Sequence, residues 1–330
     1  MITCTNLHCI NNHKSFVFKA LLTTELSMNK DWRKGSVQDD EGRFCNPWTT
    51  LPFPPSFSSL MKWVWNAKTP SLPSPAELKA MFPVVKTEWT KALQSSLSLT
   101  WIGHASCYVT MASGLRILTD PIFSERASPV QFTGPKRFVP PSCSITEVPM
   151  PHLILISHDH YDHLDYNSVR ELEARARREG DIRPIYCVGL GLKEWFCSFV
   201  KDTTRIIELD WWQSKEIPFL NGGVRVEFVP VQHWCSRSHL DRCCRLWGGW
   251  IITDSGGKKF FFAGDTGLNE EVFQEIGTRH GPIDLSAIPI GAYEPRWFMH
   301  PQHVSPEQAV RIHELVQSKR SIGIHWGTFI

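Results

Sequence analysis

The chain has 330 residues, 42% of them apolar, with Lys+Arg 35 against Asp+Glu 33 and a formal net charge of +2. That length suits one large α/β domain with an extension, or two small domains, and the apolar share can furnish a substantial core. Near-balanced charge without a basic stripe excludes extended nucleic-acid binding, and no run approaches the roughly 18 apolar residues of a membrane span.

Residues 1–44 are polar and lack a regular apolar period, so they read as an extension. The short run "FVFKALL" is interrupted by Lys19 and makes no secretory signal. Ten cysteines without a C-x-x-C pair suit free thiols in a reducing, intracellular setting. From 45 to 96 prolines are dense, as in "NPWTTLPFPPSF" and "TPSLPSPAEL". Between these stretches "SFSSLMKWVWNAK" spaces Phe57, Leu60, Met61, Val64 and Trp65 as one helical face, with Lys62 and Lys68 beside it. Such a helix either packs on the domain or lies at a membrane surface, with Leu60, Met61 and Trp65 as its membrane contacts.

Regular β patterning begins near Leu97. "LSLTWIG", "CYVTM" and "RILTD" read as three strands, the last two joined by an "ASG" turn. The apolar run 153–156 is a fourth strand, and a loop crowded with histidine and aspartate follows it directly. "NSVRELEARARREG" predicts a helix with Asn167 as N-cap and Gly180 as its stop. Then come a strand, "IYCVGL", a short helix, "LKEWFCSFV", and another strand, "TRIIEL". "VRVEFVPVQH" reads as a long strand ending on His233, and "LWGGWIIT" with "FFFAGD" as a hairpin whose second strand ends on Asp265. "DLSAIPI" is a further strand. "SPEQAVRIHELV" opens a helix with a capping box from Ser305 to Gln308, and "SIGIHW" is a last strand carrying His325. Alternating strands and helices, with hairpins among them, predict an α/β fold: a four-layer αββα sandwich of two mixed β-sheets over residues 97–330.

His158, His160, Asp162, His163, His233, Asp265 and His325 share one property: each lies at or just beyond the end of an expected strand. Strand ends from distant parts of a chain can converge on one rim of a sandwich. Imidazole and carboxylate are donors suited to zinc, iron or manganese, and burying so many without a metal is costly. Seven groups suit two metals better than one. The expected assignment gives His158, His160 and His233 to the first and Asp162, His163 and His325 to the second, with Asp265 bridging. Two cations roughly 3.5–4 Å apart can acidify water and clamp attacking and leaving oxygens. Asp162 and Asp265 are therefore candidate catalytic residues as well as ligands.

The stretches "GRFCNPW", "WIGHAS", "LTDPIFSERASP", "GPKRF", "ISHDHYDHLDYNSV", "IELDWW", "QHWC", "FFFAGDTG", "AIPIGAYEPRWFM" and "IHWGTF" run from about residue 42 to the end. Together they resemble the metallo-β-lactamase superfamily, and within it the phospholipases D that hydrolyse N-acylphosphatidylethanolamine. The resemblance implies two zinc ions per chain and cleavage to an N-acylethanolamine and phosphatidic acid. It implies a peripheral enzyme at a membrane phospholipid surface, on the cytosolic face of internal membranes, with homodimerisation as a further expectation. It also places His303 near the active site as a third candidate catalytic residue; the alternative is simple packing at the start of its helix. Tyr293, Arg296, Trp297 and Phe298 become candidates for lining the lipid path. Family members continue beyond the position of Ile330, so the domain's C-terminal end reads as incomplete. The rival readings are a soluble lactonase-like hydrolase of the same superfamily and an inactive, truncated lipid-binding form.

Overall fold

A computed structural model describes residues 31–49, 57–66, 73–180, 182–219, 222–238 and 240–329. Strands β1 (Val37–Gln38) and β2 (Phe44–Cys45) pair antiparallel, and helices α1 (Phe57–Asn66), α2 (Pro75–Met81) and α3 (Trp89–Gln94) follow. The first large sheet has β3 (Leu97–Gly103), β4 (Ser106–Met111), β5 (Arg116–Thr119), β6 (Leu153–Leu155), β7 (Ile185–Gly189) and β8 (Ile206–Leu209) in that spatial order. Its first three strands form an antiparallel meander. From β5 to β8 the strands run parallel, with α4 (Tyr166–Glu179) and α5 (Lys193–Cys197) as crossovers.

The second sheet holds β9 (Ser214–Phe219), β10 (Gly222–Val229), β11 (Gly249–Thr253), β12 (Lys259–Phe262), β13 (Leu285–Pro289) and β14 (Ser321–Ile324), again in sequence order across the sheet. Strands β9 to β12 are antiparallel and β12 to β14 parallel. The parallel crossovers contain α6 (Glu270–His280) and, in the second, a short α7 (Arg296–Met299) and α8 (Pro306–Leu315).

Period-two alternation in the first sheet separates two cores. Val109, Ile117 and Leu155 face the second sheet and meet residues such as Phe228 and Trp250. Tyr108, Leu118 and Ile154 face the other way, against Val169 and Leu172 of α4 and Phe196 of α5. Val272, Phe273 and Ile276 of α6 and Ile312 of α8 cover the outer face of the second sheet. These are the four layers expected, and strands buried on both faces, such as β4, β6 and β12, explain the unbroken apolar runs.

Two local expectations need correction. The N-cap of α4 is Asp165, not Asn167: its carboxylate accepts from the Asn167 and Ser168 backbone NH groups. Strand β10 stops at Val229, not His233, because Pro230 offers no NH to the ladder. The other expected helix ends hold. Gly180 ends α4 in a left-handed conformation (φ 78°), and the Ser305–Gln308 capping box opens α8.

The stretch before residue 45 contributes more than its polarity indicates. Trp32 is buried, its ring is edge-on to Trp48 at 5.4 Å, and Trp48 stacks on Trp211 at 5.4 Å. Residues 1–30 lie outside the described residues.

Candidate metal centre

The seven residues expected as ligands converge at one end of the sandwich. His158, His160, Asp162 and His163 leave the end of β6, His233 follows β10, Asp265 follows β12, and His325 follows β14. His104, in the turn between β3 and β4, and His303, just before α8, join them. The chain bends sharply to aim these groups. His104 and His325 have positive φ (54° and 61°), a conformation costing about 1–3 kcal/mol that the surrounding structure must impose. Gly264, at φ +63°, turns the chain just before Asp265; a Cβ there would stand 2.5 Å from Ser157 Cβ.

The first group is three imidazoles. His160 Nδ1 lies 2.8 Å from His158 Nε2 and 3.3 Å from His233 Nε2. The second group mixes imidazole and carboxylate. Asp162 Oδ2 stands 3.4 Å from both His163 Nε2 and His325 Nε2. Asp265 Oδ2 stands 3.1 and 3.0 Å from the same two nitrogens and 3.8 Å from His233 Nε2. One carboxylate oxygen therefore faces both groups. Among the described residues, His163 Nε2, His325 Nε2 and Asp265 Oδ1 are buried without a hydrogen-bond partner. Leaving such atoms unsatisfied costs about 1–3 kcal/mol each. Divalent cations would satisfy them, and the nitrogen and oxygen donor set fits zinc or a similar metal.

Hydrogen bonds behind the ligands fix which nitrogen is free. Ser157 Oγ donates to Asp120 Oδ2 at 2.5 Å, so the 2.9 Å contact to His158 Nδ1 has the imidazole donating. His163 Nδ1 donates to Asp120 Oδ2 at 2.7 Å, and His233 Nδ1 to the Gln302 carbonyl at 3.1 Å. Each leaves an Nε2 lone pair facing inward, which is how outer partners commonly orient metal-binding histidines. Asn46 Nδ2 donates to the His233 carbonyl at 2.8 Å, so the segment before α1 also braces the centre.

Electrostatics divides the two groups. Burial, reinforced by neighbouring imidazoles, pushes His158 and His233 well below the usual histidine range. At the other group burial also opposes charge on His325, but Asp265 and Asp162 outweigh it and raise the pKa to about 9. Burial likewise disfavours the Asp265 carboxylate, yet His163 and His325 hold it well below the usual range. Two carboxylates thus create a site that favours positive charge in a buried setting.

His104 and Asp120 were not assigned from the sequence. His104 Nε2 donates to Asp162 Oδ2 at 2.9 Å, and Asp120 is the fully buried anchor of His163 and Ser157. Their signal was the one that found the others, an ionisable residue directly after an apolar strand, in "WIGH" and "ILTD".

Comparison with known proteins agrees with this geometry. The family described as "Beta-lactamase superfamily domain" matches residues 115–326. The chain belongs to the β-lactamase superfamily. Within it, the chain is 36% identical to N-acyl-phosphatidylethanolamine-hydrolyzing phospholipase D 1 of Caenorhabditis elegans, over 93% of this chain and 85% of that protein. It is 37% identical to the mitochondrial enzyme of the same name in Saccharomyces cerevisiae, over 70% of this chain but 47% of that one. In structure it resembles an isothiocyanate hydrolase from Delia radicum gut bacteria, with TM-score 0.50 and 17% identity, covering 70% of this chain and 85% of the other. That last likeness shows the metallo-β-lactamase fold alone. The chain is a hydrolase of this superfamily whose side chains fit a metal centre.

The remaining candidates connect to that centre through His303. His303 Nδ1 is buried without a hydrogen-bond partner among the described residues, 3.8 Å from Asp265 Oδ2. Arg296 donates to the His303 carbonyl at 3.1 Å and to Gln308 Oε1 at 2.7 Å, and Tyr293 is half-buried beside it. Phe298 is buried and stacks on Trp63 of α1 at 5.4 Å, while Lys62 Nζ sits 5.0 Å from the Trp297 ring. Met61, Trp65 and Trp297 are exposed, Trp65 by 88%. The side chain of Leu60 lies outside the described residues. Helix α1 therefore both packs on the domain and turns apolar side chains outward. Among the described residues no helix is long and apolar enough to cross a membrane, and none of the described cysteines is in a disulfide.

Proposed function

We propose that the chain is a zinc-dependent phosphodiesterase of phospholipase D type. It hydrolyses N-acylphosphatidylethanolamine to an N-acylethanolamine and phosphatidic acid, at a membrane surface and with two zinc ions per chain. The observation that carries this reading is Asp265 Oδ2, which faces both ligand groups at 3.0–3.8 Å. The names of the Caenorhabditis elegans and Saccharomyces cerevisiae relatives support the substrate. When bound, the two cations would supply positive charge for phosphoryl oxygens and acidify water. His158, His160, Asp162, His163, His233, Asp265 and His325 would hold them.

The chain's own groups do the rest. Asp120 and Ser157 keep His163 and His158 in the tautomers that turn lone pairs inward. His303 Nδ1 would hydrogen-bond a phosphoryl or leaving-group oxygen, a role supported by its burial without a partner among the described residues, and Arg296 holds His303 through its backbone carbonyl. Tyr293, Trp297 and Phe298 would meet the acyl chains, a role supported by the contacts of Phe298 with Trp63 and of Trp297 with Lys62 of α1. Met61, Trp65 and Trp297 are the membrane-contacting side chains.

The test is metal analysis of purified protein, paired with mass spectrometry of products from vesicles containing N-acylphosphatidylethanolamine. About two zinc ions per chain and release of N-acylethanolamine with phosphatidic acid are expected. A zinc-loaded protein that leaves this lipid intact while opening soluble lactones would overturn the substrate.

A further inference from the structure

A cluster of charged side chains lies behind the ligand loop and has no part in the chemistry above. Asp159 stands between His158 and His160 in sequence and is fully buried. Its Oδ2 accepts from Arg245 Nη1 at 2.7 Å, and its Oδ1 has no hydrogen-bond partner among the described residues. The same Arg245 Nη1 reaches Asp241 Oδ2 at 2.8 Å. Arg237 Nη1 donates to two backbone carbonyls, Asp159 at 2.8 Å and Leu164 at 2.9 Å. One of these lies inside the run of four ligands and the other directly after it. Arg237 also lies over the Tyr161 ring at 4.1 Å, and Tyr161 Oη donates back to the Arg237 carbonyl at 3.0 Å. Asp241 in turn accepts from the Arg237 and Ser238 backbone NH groups, at 3.0 and 2.7 Å.

We propose that Asp159, Arg237 and Arg245 are positioning residues: together they clamp the ligand loop from behind and set the metal affinity of the centre. The physical reason is the burial of Asp159. A buried carboxylate that loses its single side-chain partner must find water or another donor. Asp159 can reach water only by moving the backbone that carries His158 and His160. Replacing both Asp159 and Arg245 by apolar side chains leaves no such drive, since no unpaired polar side chain is then buried at position 159 and Asp241 keeps its two backbone donors. Arg237 adds a geometric constraint: its planar guanidinium lies flat over Tyr161 while the two N–H bonds of Nη1 reach both carbonyls in that plane, and a lysine ammonium cannot keep this stacking and these bonds together. The proposal rests on the metal-binding reading of the loop and is independent of the substrate.

The experiment uses the full chain as wild type, Arg245→Leu, Asp159→Leu/Arg245→Leu and Arg237→Lys. Zinc affinity is measured by competition with a chromophoric chelator, and ligand geometry by the visible absorption of the cobalt(II)-loaded protein. Arg245→Leu is expected to bind zinc on the order of 10–100-fold more weakly, with shifted cobalt bands. The double variant should recover most of the affinity and the wild-type bands. Arg237→Lys should bind more weakly with altered bands, and it decides the matter if Arg245→Leu does not fold. Wild-type affinity and spectrum in Arg245→Leu or Arg237→Lys would overturn the clamp. So would a double variant as weak as Arg245→Leu, which would mark a merely structural role. A wild-type chain that binds neither metal would remove the metal reading itself, and the clamp with it.

Discussion

Asp265 carries the heaviest demand on any one side chain, with Oδ2 facing both ligand groups and Oδ1 buried without a partner. Replacing it by asparagine keeps the shape and removes the charge. We predict that Asp265→Asn lowers activity by more than the roughly 10–100-fold typical of an outer partner, with the far-UV spectrum retained. Undiminished turnover by this variant would remove Asp265 from the centre. Asp120→Asn tests the outer layer. The amide accepts less strongly from His163 Nδ1 and Ser157, so zinc affinity should drop by on the order of 10–100-fold, measured by chelator competition. Unchanged affinity would mean that packing alone orients His163. These residues also show why part of the site was legible and part not. The H-x-H-x-D-H spacing around His158 packs four donors into one loop, a pattern that packing does not call for. His104 and Asp120 are single residues after apolar runs, and only the pairing of distant strands brings them together.

Helix α1 joins two surfaces at the scale of the element. Trp63 stacks on Phe298 and Lys62 reaches Trp297, so the helix is tied to α7, which leads to His303. Met61 and Trp65, one turn apart, are left outward. Fully burying a large apolar side chain is worth roughly 1.5–3 kcal/mol, so partial insertion of these two would give reversible binding. We predict that Met61→Glu together with Trp65→Glu weakens vesicle binding and slows turnover of bilayer substrate, with a short-chain soluble analogue little changed. Equal losses on both substrates would show that the helix only supports the domain. Helical spacing located α1, but it could not say which side docks, because tryptophan suits both a core and an interface. Strands were legible by the same logic. Those buried on both faces, such as β12, stand out as apolar runs, whereas β9 is an edge strand that reads "SKEIPF". Its exposed charges and Pro218 are what an edge tolerates, and they hide it from a search for alternation.

The molecule as a whole separates its chemistry from its fastening. In the second sheet β12, β13 and β14 run parallel, so Asp265 and His325 follow their C-terminal ends. Asp284, just before β13, sits at the opposite, N-terminal end. There it accepts from Lys258 Nζ at 3.1 Å, the Lys259 backbone NH at 3.0 Å and Lys319 Nζ at 2.9 Å. It thereby joins the starts of three neighbouring strands. Burial raises the Asp284 pKa, but the hydrogen bonds from Lys319, Lys259 and Lys258 outweigh it and bring the carboxyl down from 3.8 to about 2. A folded-state pKa below the unfolded one means stability that is complete above about pH 4 and lost as pH falls towards 2. A shift of this size corresponds to at most about 2 kcal/mol, and screening at the half-exposed Lys258 and Lys319 reduces it to roughly 1. Asp284→Asn should therefore destabilise the chain at pH 7 by about that amount in urea unfolding. The gap to wild type should narrow between pH 4 and 3. Because the metal centre lies at the other end of the sheet, zinc content at pH 7 should be unchanged in this variant. A gap that stays constant with pH would show that Asp284 acts through shape and not through its charge.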